Sequence, residues 1–217
     1  MPINTMDMRL VHRVLRREFA AIPGLIANVP DGDTARAKVV GDHVTFVVGA
    51  LHNHHAAEDE MVWPLLHNRV PARADDIERM ENQHNAIAAA VERVNAGLPV
   101  WVSAPVGQAA GQLLAAVGEL ELVVVEHLDD EELNAVPIIE EHLSQDEWGA
   151  TVRRATAFLT SHPRLAIVLG GLVLDYASPD ERQTFMSGVP LVPRLLMRFL
   201  SPRMTATYRR RLYAAAG

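Results

Sequence analysis

The sequence predicts an all-α protein: an up-and-down four-helix bundle followed by a helical extension. Apolar residues recur at helical spacing along nearly the whole chain, and no sustained alternating run is bounded by hairpin turns. Four long periodic segments are joined by short connections, as a four-helix bundle requires. We therefore expect a bundle over residues 1–143 and a helical extension over 144–217, packed on the bundle or on a partner.

Prolines and glycines set the expected ends of the four long helices. Pro23 is expected to stop the first, Pro71 to follow the second, Pro99 to lie in the loop after the third, and Pro137 to kink the fourth. The predicted helices span residues 7–21, 35–67, 75–95 and 106–143.

The extension carries its own helix signals. Ser144 and Ser178 each precede a glutamate by three residues, the pattern of a capping box that opens a helix. Prolines at 190, 193 and 202 predict that the last forty residues form short helices.

The composition excludes several functional classes. The 217 residues include no cysteine, so thiolate zinc sites, iron–sulfur clusters and disulfides are ruled out. A net charge of −7 argues against a nucleic-acid binder. Residues 1–18 are charged throughout and lack an apolar signal core, so we expect a cytoplasmic protein. Ten histidines remain as the most informative residues.

Two apolar segments bear on membrane contact. The segment 100–125 is interrupted by Glu119 and Glu121 and is predicted to be a buried bundle helix. The segment 182–217 holds seven arginines and no acidic residue, whereas residues 1–181 hold all 27 acids. Its apolar stripe 191–199 fits a membrane-surface helix, but packing on the acidic bundle of the same or a second chain is the favoured interpretation. A homodimer is one such arrangement.

Each predicted bundle helix has polar residues within its apolar stripe. Residues four apart lie on one face of a helix, so a His-x-x-x-Glu pair points an imidazole and a carboxylate the same way. The polar residues are His12 in the first helix, His54 and Glu58 in the second, His84 in the third, and His127 and Glu131 in the fourth.

These six residues repeat along the chain. His12 and His84 are 72 residues apart, and His54 and His127 are 73 apart, an offset that also relates Glu58 to Glu131. Carboxylates in an apolar core need neutralisation or coordination. A pair of metal ions bridged by the two glutamates satisfies all six side chains. Imidazole and carboxylate without sulfur suit non-haem iron, with manganese or zinc as competitors.

The order His, His-x-x-x-Glu, His, His-x-x-x-Glu resembles the hemerythrin-like, or HHE cation-binding, domain over about residues 5–143. The run 54–60 followed by Trp63-Pro64-Leu65 is particularly similar to its second-helix signature. The resemblance implies a carboxylate-bridged di-iron centre, with an oxo or hydroxo bridge, that binds or reacts with dioxygen, peroxide or nitric oxide, or that senses iron or oxygen.

One position departs from the oxygen-carrying members of that family. The carriers keep a further histidine four residues after the one on the third helix, where this chain has Ala88. This argues against reversible oxygen carriage. His55 is a candidate substitute ligand, with Glu81 and Asp59 as weaker ones, and Glu132 is an alternative to Glu131 as bridging carboxylate. We expect His43, three turns before His54, to be a core histidine.

The favoured function is turnover of a small oxidant, peroxide or nitric oxide, by a peroxidase, catalase-like or nitric oxide-reacting enzyme. Two alternatives remain open. One is a sensor whose metal state changes how the extension docks. The other is a store of iron or oxygen without turnover.

Overall fold

The computed structural model describes residues 3–214, and this part of the chain contains helices but no strand. The bundle half consists of α1 (Met6–Ala27), α2 (Thr34–Met61), α3 (Trp63–Arg69), α4 (Ala74–Ser103), α5 (Gly107–Asp130) and α6 (Val136–His142), with a π-helical turn, Glu131–Ala135, between α5 and α6. The extension consists of α7 (Gln145–Thr156), α8 (Pro163–Tyr176), α9 (Pro179–Gly188) and α10 (Leu191–Leu212).

The four long helices form a closed bundle, which confirms the predicted fold class. Helix α1 packs against α2 and α5, and α4 packs against the same two neighbours. Short α3 and α6 close one end of the bundle and contact each other. The result is two helical hairpins placed side by side, as the internal repeat indicates.

Two prolines do not end their helices, and here the predicted boundaries were wrong. Pro23 lies inside α1 and Pro99 inside α4. A proline within a helix costs about 3 kcal/mol, whereas burying one large apolar side chain contributes roughly 1.5–3 kcal/mol. Leu25 and Ile26 beyond Pro23, and Trp101 beyond Pro99, are buried. Their burial offsets the lost hydrogen bond, so both helices continue.

Two other helices bend directly after their His-x-x-x-Glu pairs. The predicted helix 35–67 breaks at Val62, and the predicted helix 106–143 widens into the π turn. The bends precede Pro64 and Pro137, which cannot donate an amide hydrogen to the preceding turn. Near Pro137 the irregularity takes the form of the π turn Glu131–Ala135, and the break at Val62 is its counterpart in the first half.

The extension folds onto the bundle through several elements. Both predicted capping boxes are present, at Ser144 and Ser178. Helix α7 packs on α2, and α8 packs on α1. Short terminal helices were expected, but α10 runs unbroken for 22 residues. At Gly171 of α8 an added Cβ would lie 2.0 Å from Thr205 Oγ1 of α10, so only glycine permits this close crossing.

The arginine-flanked stripe 191–199 of α10 is largely exposed in the single chain, and its docking on a partner or a membrane surface stays a prediction. Leu191, Val192 and Phe199 are each about two-thirds exposed. Helix α10 packs on α8, where Met197, Ser201 and Thr205 face Gly170 and Gly171, and its C-terminal half also contacts α2.

The continuous helical segment Gly107–His142 is long and apolar enough to cross a membrane by length and composition. In this structure its inward face, including Leu113, Val117 and Val124, is buried in the bundle core.

Candidate metal centre

A layer of polar side chains divides the core of the bundle into two apolar clusters. On α2 the larger cluster ends at Leu51 and the smaller begins at Val62, with the polar residues between them. The same division occurs on α4, between Met80 and Ile87. Helical periodicity therefore fixes both the height of the layer and the apolar surroundings that exclude water from it.

The structure brings all six predicted residues and His55 into this layer. Each is at most 8% exposed: His12 0%, His54 8%, His55 6%, Glu58 1%, His84 5%, His127 0% and Glu131 0%.

One group of potential ligands is formed by α1, α2 and the π turn. One ligand atom each from His12, His54 and Glu131 lies within 4.8 Å of the others. His12 Nε2 is 2.9 Å from His54 Nε2 and 3.2 Å from Glu131 Oε2. These nitrogens and the carboxylate oxygen converge on one point, as the ligands of a metal ion do.

A second group consists of imidazoles alone. His55, His84 and His127 also place one ligand atom each within 4.8 Å of the others. His84 Nε2 is 3.2 Å from His127 Nε2, and the ring of His55 stacks on that of His84 with centroids 4.1 Å apart. His54, His55 and Glu58 form a third such set that joins the first two. His55 thus adds a third imidazole beside His84 and His127, whereas Ala88 is exposed.

Hydrogen bonds on the outer side orient three of these rings. His12 Nδ1 is 3.0 Å from Glu132 Oε1, His84 Nδ1 is 2.6 Å from Asp59 Oδ1, and His127 Nδ1 is 2.9 Å from Gln83 Oε1. Each oxygen accepts the Nδ1–H, which leaves the Nε2 lone pair directed inward. Partners of this kind fix the tautomer and orientation of metal-binding histidines.

The electrostatics favour neutral imidazoles at most positions. Burial lowers the pKa of His54 to about 3 and that of His127 to about 4, and it lowers the pKa of His55 well below its usual range. Burial also opposes a charge on His12, but the hydrogen bonds and charges of Glu131 and Glu132 outweigh it and raise its pKa. Neutral imidazole is the form that binds metal.

The carboxylate oxygens of the two buried glutamates make no well-formed hydrogen bond. Neither oxygen of Glu58 or of Glu131 has a hydrogen bond of acceptable geometry within the described part of the chain. Burial and the nearby charge of Glu131 raise the pKa of Glu58 well above its usual range. Burial likewise acts against a charge on Glu131, but His12, whose Nε2 lies 3.2 Å from Glu131 Oε2, lowers its pKa through this close contact and its charge. Four buried oxygens without partners, surrounded by inward-facing Nε2 atoms, fit a cationic group, so the residues present suit metal ions.

The structure also separates the two adjacent glutamates. Glu131 is fully buried among the imidazoles, whereas Glu132 binds His12 Nδ1 and Arg16 Nη1 on the outside of the layer.

The other histidines lie outside the ligand cluster. His43 is buried away from the cluster and meets Tyr208 Oη at 2.6 Å. His52, His67 and His162 are exposed and His142 is half-buried, as expected of surface residues.

The supporting role of Gln83 was missed by the sequence reasoning, and Asp59 was considered only as a weak ligand. The available signal was position: Gln83 directly precedes His84, and Asp59 directly follows Glu58. Which ring each would reach depends on the packing of neighbouring helices, because Gln83 bonds His127 of α5 and Asp59 bonds His84 of α4.

Comparison with known protein families places this geometry in context. The family model of the hemerythrin HHE cation-binding domain matches residues 5–139, more than half of the chain. The match contains every residue of the ligand cluster and ends before α7. Comparisons with curated proteins and with solved structures gave no match.

Proposed function

The chain belongs to the hemerythrin HHE cation-binding family, and from this membership we propose that it holds two iron ions and uses them to react with a small oxidant. The proposed ligands are His12, His54, Glu58, His84, His127 and Glu131, with His55 as a seventh. The oxidants are dioxygen, peroxide or nitric oxide, and the reaction is a redox turnover at the buried centre.

The observation that carries the proposal is the pairing of two ligand groups around unpartnered carboxylates. One group offers His12, His54 and Glu131, and the other offers three imidazoles. Glu58 belongs to the set that joins them, which supports the proposal that the two glutamates would be shared between two ions. Nitrogen and oxygen donors without sulfur favour iron over softer metals, and zinc and manganese remain the competitors.

Iron at this centre would supply electrons by changing between its ferrous and ferric states. The protein's side chains orient the ligand atoms and set the charge and dryness of the site. Glu132, Asp59 and Gln83 hold the Nδ1 protons and so aim each Nε2. Glu58 and Glu131 bring negative charge that balances the cations. The apolar clusters on either side exclude bulk water from the layer.

Metal analysis of the untagged protein, purified without added metal, tests the proposal. We expect two irons per chain and a visible charge-transfer band from an oxygen bridge between them. Peroxide and nitric oxide consumption by the loaded protein would then be measured. Protein that contains no iron, and that does not take it up from ferrous salt without oxygen, would refute the site.

A matched pair of variants separates ligation from general damage to the fold. His54→Ala removes a buried ring of the cluster, whereas His52→Ala removes an exposed ring on the same helix. We expect His54→Ala to lose iron and the absorption band while retaining its helical circular dichroism. His52→Ala should keep both. Equal iron content in the two variants would contradict the assignment.

A sensor is the second candidate, and the docking of the extension supports it. Arg13, directly after His12, forms a bidentate ion pair with Glu181 of α9 at 2.9 Å and donates to the backbone oxygen of Tyr176. A movement of α1 on metal binding would therefore reach the extension. Limited proteolysis of iron-loaded and iron-free protein tests this: a sensor requires cleavage within 144–214 to change with metal, and an unchanged pattern excludes it.

A further inference from the structure

An apolar cavity lies between the bundle and the extension. Its volume is about 90 Å³, and its walls come from α1, α2, α7, the 3-10 turn Ala157–Ser161 and the middle of α8. Val11 and Leu15 face it from α1, Val47 and Ala50 from α2, and Val152 and Phe158 from the extension. Carbon atoms form nearly all of its lining. The extension, which lies outside the family match, therefore provides one whole wall.

The cavity reaches the ligand cluster on one side only. His54 and Glu58 line it, but His12, His55, His84, His127 and Glu131 do not. A molecule held there would lie beside these two side chains, on the face of α2 that looks toward α7.

The outer wall is held in place from both ends. Trp148 Nε1 donates to Asp7 Oδ1 at 3.0 Å, which fixes the start of α7 against α1. Arg154 forms a bidentate pair with Glu60 of α2, with Nε 2.6 Å from the carboxylate. Helix α7 thus covers the cavity as a fixed wall between two polar attachments.

The lining and the volume select the class of occupant. A cavity with apolar walls stays dry and binds apolar ligands, because water inside it loses its hydrogen bonds. A volume of about 90 Å³ exceeds the ~10–15 Å³ that one water needs and is smaller than the ~150 Å³ cavity that holds benzene. Hydrogen peroxide, which both donates and accepts hydrogen bonds, would find almost no partner here.

We propose that this cavity binds an uncharged apolar diatomic gas, dioxygen or nitric oxide, beside His54 and Glu58, and that the extension creates the site by forming its outer wall. The reaction of the bound gas with iron rests on the proposed function. The inference narrows the proposed oxidants from dioxygen, peroxide or nitric oxide to the two gases. Binding in the cavity itself follows from its shape and lining alone.

Xenon is the probe, because it is apolar and visible by diffraction and by nuclear magnetic resonance. The full chain is examined under xenon pressure, with and without iron. Ala155→Phe fills the cavity from α7, and Ala50→Phe fills it from α2 if the first variant folds poorly. Ala157→Phe is the control, since Ala157 is exposed, lies outside the lining and receives the same added ring.

We expect one xenon in the wild-type cavity, with or without iron, and its loss in Ala155→Phe but not in Ala157→Phe. Ordered water in the cavity, or xenon absent from wild type, would overturn the inference. If the protein binds xenon but takes up no iron, the gas-binding inference stands and the proposed function is refuted. If it holds two irons but binds no xenon, the proposed function stands and the gas-binding inference is refuted.

Stopped-flow reaction of the ferrous protein with each gas identifies the ligand. We expect the rate with the physiological gas to fall by an order of magnitude in Ala155→Phe, while the rate with peroxide stays as in Ala157→Phe. The gas whose rate falls is the one that uses the cavity. Rates that fall for neither gas, or equally for peroxide, would contradict the proposal.

Discussion

Acidification should destabilise the protein through His43, far from the metal ligands. Burial holds the pKa of His43 at about 4, against 6.5 when unfolded. Between these values the unfolded state binds more protons than the folded state, so stability is present above pH 6.5 and is lost as the pH falls towards 4. From pH 7 to pH 5 the free energy of unfolding should fall by about 2 kcal/mol from this residue alone.

The groups that face His43 are defined by the packing of α1, α2, α8 and α10. Tyr208 Oη contacts Nδ1 at 2.6 Å, and Glu18 Oε2 lies 3.7 Å from Nε2. Tyr176 donates to the other oxygen of Glu18 at 2.9 Å. Burial raises the pKa of Glu18, while Tyr176 and Arg209 act to lower it. Glu18 is too distant to form a short ion pair with a protonated His43, so burial dominates.

Comparison with His43→Gln isolates the effect. Glutamine keeps a polar group beside Tyr208 but does not titrate, so the variant should lose about 2 kcal/mol less than wild type between pH 7 and pH 5. The assay is urea unfolding followed by circular dichroism at both pH values, with equal metal content. Parallel losses of stability in the two proteins would refute the reasoning.

The remaining predictions concern the centre and the extension. His55→Ala should lower the iron content from two per chain towards one, as measured by elemental analysis, if its ring completes the all-imidazole group; two tightly held irons would contradict this. Asp59→Asn should weaken iron binding by about 10–100-fold in a chelator competition, because its carboxylate orients an imidazole at 2.6 Å; unchanged affinity would show that the contact has no such role. Gly171→Val should destabilise the docking of α10 by about 1–3 kcal/mol, since the added Cβ meets Thr205. Gly111→Ala, in open space, is its control in thermal unfolding, and equal melting temperatures would refute the crossing argument.

The ligand layer was predictable because two periodicities coincide there. Helical spacing placed His12, His54, His84 and His127 on inward faces, and the 73-residue offset matched the two His-x-x-x-Glu pairs. Burial of ionisable groups then required a cation. The structure brings all these residues together, as the sequence indicates.

The helix ends and the supporting contacts were less predictable. Pro23 and Pro99 were predicted to end their helices because proline is disfavoured inside a helix. The buried residues that follow them keep each helix intact. Which residue hydrogen-bonds to which imidazole depends on how each helix is rotated about its axis and on which helices pack beside it. The cavity beside His54 is formed by α7 as well as by the bundle, and no local pattern specified how α7 would dock.

The two halves of the centre are related by the repeat but are not equivalent. His55 corresponds to Leu128 in the second half, and Leu128 is buried in apolar core. The first half therefore supplies an additional imidazole, and one ligand group is all nitrogen while the other includes Glu131. Among the residues of the ligand cluster, only His54 and Glu58 line the apolar cavity. Both differences arise along α2, so the two halves of the centre differ most on the face of α2 that α7 covers, which is also the face where the proposed gas site lies.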